Sequence, residues 1–290
     1  MNPTDLTSII INTLNSIFES LFSSIDNTLY EILDNLVFIN PNIINDNFFL
    51  KIFGTSSTNG MLLISNSLLI GILIYYSAKY LFSNFTFTKI ESPGQFIFKF
   101  IIFAIFMNSS FFLIEQILNF NNYLCELIRS FGEDLFGKEI CFKTLINEIN
   151  TNLSIVQSID IFTIDGLIKG TLTISLLNLL FSYSMRYILI KVFILLSPFA
   201  FLSLSLDSTS HFFKSWYKSL FSLLFIQILV SIILLLLFAI DYSKDNIFNK
   251  IIYLGGIYAL IKSNSIVNEL FGGISTTIQN SISSLKLLNK

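Results

Sequence analysis

Residues 220–240 read LFSLLFIQILVSIILLLLFAI, twenty-one residues without a charge. As a helix rising about 1.5 Å per residue, the stretch is about 30 Å long, the depth of a bilayer's hydrocarbon core. Its only strongly polar side chains are Ser222, Gln227 and Ser231. The whole chain shares the bias: of 290 residues, 53% are hydrophobic, 12% are charged and 32 are Phe. A soluble domain carries about 25% charged residues. Half that share leaves a 33.0 kDa chain short of the polar surface that water demands. This composition suits lipid as solvent. It predicts an all-α fold, a polytopic bundle of transmembrane helices.

Further spans flank that stretch. Residues 61–83 hold no charge before Lys79. Residues 95–118 form another apolar stretch behind the turn Ser92-Pro93-Gly94. Lys99 and Glu115 lie near its two ends, where long side chains reach the headgroups. Residues 166–206 are apolar apart from Lys169, Arg186 and Lys191. One helix of that length would be about 60 Å long, twice the hydrocarbon depth, so two spans are expected, turning near Ser184-Met185-Arg186. With residues 217–240 the total is five. The run 251–261, interrupted by Gly255 and Gly256, is a sixth span or a re-entrant or interfacial piece.

Both ends read as amphipathic helices. Leu14, Phe18, Leu21, Ile25, Leu29, Ile32 and Leu36 recur at threes and fours, and Asn40-Pro41-Asn42 stops the helix. Its polar face is acidic, whereas interfacial helices favour basic faces, so it is expected to pack on protein. Ile266, Leu270, Ile274, Ile278 and Ile282 repeat at fours in the tail, a contact face for another protein or a second copy. The chain divides accordingly. Residues 1–60 are an N-terminal amphipathic segment and 61–118 a first transmembrane hairpin. Residues 119–163 are an extracytoplasmic loop, 164–262 a transmembrane bundle and 263–290 an amphipathic tail.

The positive-inside rule orients the bundle. Lys79, Lys89 and Lys99 surround the first hairpin turn and place it in the cytoplasm, with the N-terminus outside. The tail, with Lys244, Lys250, Lys262, Lys286 and Lys290, is cytoplasmic too. Five spans then put the link 207–218 outside, despite Lys214 and Lys218, and Arg186 and Lys191 inside. The loop 119–163 falls outside, with six acidic and three basic residues. One or two short helices are expected there, with Leu127, Phe131 and Leu135 as apolar positions. Cys125 and Cys141 lie in this loop, where a disulfide can persist. It would close about fifteen residues and contribute ~3 kcal/mol. The alternative is two buried thiols acting as small apolar residues.

No convergence of titratable groups suggests an enzyme, and no cofactor motif is present. Two cysteines and the single His211 cannot build a four-ligand zinc site. No Gly-x-x-x-x-Gly-Lys-[Ser/Thr] loop occurs, and a net charge of −2 is no nucleic-acid signature. Glu115, Lys169 and Lys191 lie close enough to span ends to snorkel. Asn66, Asn108, Asn178 and Gln227 can hydrogen-bond between helices, at ~0.6–2 kcal/mol each, or line a polar pore.

Residues 192–218 read VFILLSPFAFLSLSLDSTSHFFKSWYK. Pro198 lacks an amide hydrogen and should kink the helix, its freed carbonyl met by Ser197 or a neighbour. Trp216 and Tyr217 sit where an aromatic belt belongs, with Lys214 and Lys218 at the headgroups. This hairpin resembles the TrbL family, polytopic membrane components of type IV secretion systems in conjugation machines. The matching positions are Pro198, Phe199, Phe213, Lys214 and Trp216. The resemblance implies a homo-oligomeric channel or scaffold subunit in the cytoplasmic membrane. Its partners would be other type IV secretion subunits, including ATPases, with transferred DNA as a transient substrate. A small-solute transporter or channel built around Asn178, Gln227 or the Gly255-Gly256 break is one alternative. A membrane assembly scaffold without a pore is another.

Overall fold

The structure, a computed structural model, describes residues 9–17, 27–55, 59–87, 91–152, 164–240 and 247–271. All of the regular structure among them is helical. Residues 9–17 form one exposed helical stretch. The longer elements are α1 (Asn27–Val37), α2 (Asn47–Phe53), α3 (Met61–Thr86), α4 (Pro93–Asn108) and α5 (Ser110–Phe136), followed by α6 (Phe142–Asn152), α7 (Ile164–Leu195), α8 (Ser197–Leu202), α9 (Ser210–Phe238) and α10 (Ile247–Phe271). Short 3-10 turns occupy Pro41–Ile44 and Ser203–Ser205.

Helix α9, the uncharged stretch, is the hub. It packs against α5, α7 and α10. Leu220, Leu223, Leu224, Val230, Leu234 and Leu237 are buried along it, at the threes and fours that give a helix one inward face. Helix α10 runs antiparallel beside it, and Gly256 makes the close approach. A Cβ at Gly256 would lie 2.2 Å from Leu237 Cδ2, whereas one at Gly255 would meet nothing within 4 Å. The pair interrupts nothing: α10 is continuous through both.

Three helices are long and apolar enough to cross a membrane, namely α3, Ile174–Leu195 of α7, and α9. Helices α4 and α5 meet the same test together but bend by 58° at their junction, giving four if they form one span. The bend has a local cause. Asn108 turns its amide onto Ala104 O at 2.9 Å and pairs with Asn66 of α3 at 3.2 and 3.3 Å. A side chain bonding the backbone four residues back competes with the helix ladder. Helix α3 turns most of its apolar surface outward, Ile70, Ile74, Leu81 and Phe82 included. That is how a lipid-facing span looks.

Several expectations need correction. No turn occurs at Ser184-Met185-Arg186, because α7 runs unbroken through it. Those residues include neither Gly nor Pro, and the charge that suggested a turn donates to two carbonyls in place, as described below. The hydropathy break at 119 is not a structural break either. Helix α5 continues to Phe136 and ends where Gly137 takes φ 65, the left-handed C-cap that glycine adopts without strain. Leu127, Phe131 and Leu135 are exposed along it. At both ends of the chain the buried face lies one residue beyond the expected stripe. Ile32 is 42% exposed while Leu33 is 2%. Ile266 and Leu270 are exposed while Val267 is buried. Helix α1 packs on α6 and α7, on protein as expected. Phe18, Leu21, Ile25, Ile274, Ile278, Ile282 and the side chain of Leu29 lie outside the described residues.

The link before α9 is also relocated. Asp207 Oδ1 lies 3.7 Å from Lys99 Nζ, which binds Glu91 at 2.7 Å. Two groups this close cannot face opposite sides of a layer about 30 Å thick. The link and the first hairpin turn therefore share one side. The unbroken α7 accounts for this, because one helix able to cross stands where two spans were expected.

Candidate functional site

The hairpin of α7, α8 and α9 assembles the residues singled out above. Helix α7 ends at Leu195, and Pro198 stands in the first turn of α8, where its missing N–H costs nothing. A helix end leaves its last carbonyls without intrahelical donors. One of these, Phe193 O, accepts the indole N–H of Trp216 at 2.8 Å. Trp216 thus bonds an end carbonyl of α7, next to Ile194 whose carbonyl Pro198 leaves without an N–H, and the buried Ser197 Oγ has no partner. Trp216 is 4% exposed, so it is a core residue, not a belt residue. Tyr217, next to it, is the exposed aromatic. Phe201 stands 5.8 Å from Trp216 and 5.4 Å from Phe213, and Phe213 is 5.6 Å from Trp216. Ring pairs at these separations contribute about 0.5–1.5 kcal/mol each beyond area burial. Phe199 is half-buried and Lys214 exposed. The structure therefore joins Pro198, Phe213 and Trp216 in one device and leaves Lys214 outside it.

Deeper in the bundle lies a buried polar cluster. Arg186 of α7 has no exposed surface. Its Nε donates to Leu223 O of α9 at 2.7 Å and its Nη1 to Val37 O at 2.9 Å. Val37 ends α1, so the guanidinium sits at a helix C-terminus, where free carbonyls and the macrodipole favour a cation. Arg186 Nη2 has no hydrogen-bond partner. Asn121 of α5 donates to Gln227 Oε1 of α9 at 3.3 Å, and Ser231 Oγ donates to Gln227 O at 3.0 Å. The expected helix-to-helix role of Gln227 is thus present, but no hydrogen bond joins the half-buried Asn178 to the cluster.

A second set of polar contacts ties α10 in. Tyr183 OH lies 3.0 Å from Ser263 Oγ and donates to Leu260 O at 3.2 Å. Asn264 donates to Ser182 at 2.6 Å, and Ser222 donates to Asn268 at 2.9 Å. Residues 260, 263, 264 and 268 share one face by helical spacing. Of all these polar residues, only Gln227 was legible in the sequence as an interhelical contact. The available signal was the four-residue spacing of Asn121 with Cys125 and of Gln227 with Ser231.

Cys125 and Cys141 are both buried and both free, which is the second of the two alternatives, buried thiols without a disulfide. Cys125 is turned toward Ser231 and Gln227 of α9. Cys141 Sγ lies 3.1 Å from Thr144 Oγ1 beside the start of α6. Next to Cys141, Asp34 of α1 accepts the N–H groups of Phe142 at 2.8 Å and Lys143 at 3.3 Å. It caps α6 from another element. Burial pushes its carboxyl up from 3.8 to about 6, against the pull of those two donors and of Arg129. Glu31 pairs with Lys143 across the same contact.

Among the described residues no group of three or more His, Cys, Asp or Glu side chains could hold a metal ion. No family model, no curated protein and no solved structure matches the chain.

Proposed function

We propose that the chain is a membrane-embedded channel or scaffold subunit of a type IV secretion apparatus, helping to pass DNA–protein substrate across the cytoplasmic membrane. The observation that carries the reading is the hairpin: a helix break at Pro198 beside which Trp216 bonds the end carbonyl of Phe193. A proline and a tryptophan eighteen positions apart form one unit, which gives the resemblance to TrbL proteins a structural reason. The interior supports a scaffold role, since Asn121 and Gln227, Tyr183 and Ser263, and Ser182 and Asn264 bond helix to helix. The outward apolar face of α3 supports contact with lipid and with further copies of the chain. Energy would come from partner ATPases.

The same reading orients the chain with its N-terminus outside and, with α10 returning antiparallel beside α9 as a further crossing, its C-terminus in the cytoplasm. Lys79 and Lys99 near the first hairpin turn and Lys214 and Lys218 at the start of α9 belong to one side, where positive residues mark the cytoplasm. Transfer frequency in a conjugating host tests the function. Deletion of the chain should abolish DNA transfer, and Trp216→Ala should lower it strongly while membrane levels persist. Transfer at the parental rate without the chain would refute the proposal.

A further inference from the structure

A crevice runs between α3 and the segment from α8 to the start of α9. One end is polar, a cavity of about 550 Å³ whose lining includes Lys79, Ser83, Glu91, Phe96 and Asp207. The adjoining groove, of about 430 Å³, is apolar, and Leu68, Gly71, Ile72, Phe199 and Leu202 line it. Tyr75 and Leu206 line both, so the two spaces adjoin. Each volume falls in the range of small-molecule sites. A space polar at one end and apolar at the other, on a helix that otherwise faces lipid, has the shape and chemistry of an amphiphile.

The charges narrow its identity. Lys79 offers an ammonium with no carboxylate within ion-pair distance among the described residues, and Ser83, whose hydroxyl donates to Tyr80 O, retains an acceptor. Lys99 is held tightly by Glu91 at 2.7 Å and only loosely by Asp207 at 3.7 Å. The Asp207 side chain is 91% exposed, so its carboxylate keeps capacity for a second cation. Tyr76 and Phe96 stack face to face at 3.5 Å, so these two rings spend a face on each other, while Tyr75 and Phe82 also line the polar end; a primary ammonium, unlike a quaternary one, can donate hydrogen bonds to the Asp207 carboxylate. We infer that this crevice binds a phospholipid whose headgroup carries a primary ammonium. Its phosphate meets Lys79, its ammonium meets Asp207, and an acyl chain lies along Gly71 in the apolar groove. The inference rests on the membrane placement of α3.

Gly71 supplies a clean test. A Cβ there meets nothing within 4 Å, so Gly71→Leu fills the groove, and Leu is a better helix former than Gly. Binding of dioctanoyl phosphatidylethanolamine to the purified full chain in mild detergent is read by native mass spectrometry. The phosphatidylcholine and phosphatidylglycerol of equal chain length, and free O-phosphoethanolamine, are run beside it. Phosphatidylethanolamine should bind about tenfold more tightly than phosphatidylcholine. G71L should weaken it by a similar factor, Asp207→Asn should abolish the headgroup preference, and Lys79→Gln should weaken all three lipids. Equal binding of the three lipids, or G71L binding like the wild type, would overturn the inference. Free O-phosphoethanolamine competing as well as the lipid would overturn the acyl assignment. Failure of the membrane placement is read separately, as recovery of the chain in water without detergent.

Discussion

Arg186 donates to Leu223 O and Val37 O from a position with no solvent exposure. Hydrogen bonds to a charged group contribute about 1.5–3 kcal/mol each. Truncation by Arg186→Ala would leave Val37 O, at the end of α1, short of a donor and a cavity where the side chain was. It should destabilise the bundle by about 3–5 kcal/mol. Arg186→Lys should also destabilise, because one ammonium does not reproduce the guanidinium fork. Arg186→Met, which fills the space without a buried charge, should be milder than Ala. Unfolding in mixed micelles on titration with dodecyl sulfate gives the order; an unchanged midpoint for R186A would mean the tether carries no stability. The glycine pair offers a second contrast. Gly256→Ala drives a Cβ against Leu237 and should cost about 1–3 kcal/mol. Gly255→Ala faces open space and should stabilise by up to about 1 kcal/mol.

Between elements, the contact of α1 with α6 depends on pH through Asp34. Its folded carboxyl, raised to about 6, holds a proton more firmly than the unfolded one at 3.8. The stability from this difference is fully present below about pH 4 and is lost as pH rises through about 6. Asp34→Asn cannot ionise and should remove that loss. Measured from about pH 4 to about pH 7, the wild type should lose up to about 3 kcal/mol relative to D34N; parallel pH profiles would exclude Asp34 as the cause. The α7–α8 junction makes a separate prediction. Trp216→Phe keeps the ring packing but leaves Phe193 O without its indole donor. The expected cost is about 1–3 kcal/mol, the penalty of an unsatisfied buried acceptor. The Pro198 kink was legible because a missing N–H is a property of one residue. Its partner was not, because Trp216 reaches Phe193 only after the chain has folded back.

At the scale of the whole molecule, the unbroken α7 sets the sidedness. A cysteine at Ser208 in the link and one at Phe87 beyond α3, both exposed, should react with a membrane-impermeant maleimide from the same side. Labelling from opposite sides would restore a turn near Arg186. The native thiols of Cys125 and Cys141 are buried and should both alkylate after denaturation without reductant.

Much of this architecture is written in composition. The uncharged stretch 220–240 became the hub α9, and the lipid-like balance of residues became an all-helical bundle with three or four helices able to cross a membrane. These follow from the sequence alone because burial in lipid acts on whole segments, and helix length and hydropathy are local sums. Charges were the opposite case. Arg186 read as a boundary because a lone cation in an apolar run has no visible partner within the sequence. Its acceptors lie 37 and 149 positions away. Only tertiary packing brings those carbonyls to it, and with them come the single α7 span, the shared side of Lys99 and Asp207, and the interior that joins Asn121 to Gln227.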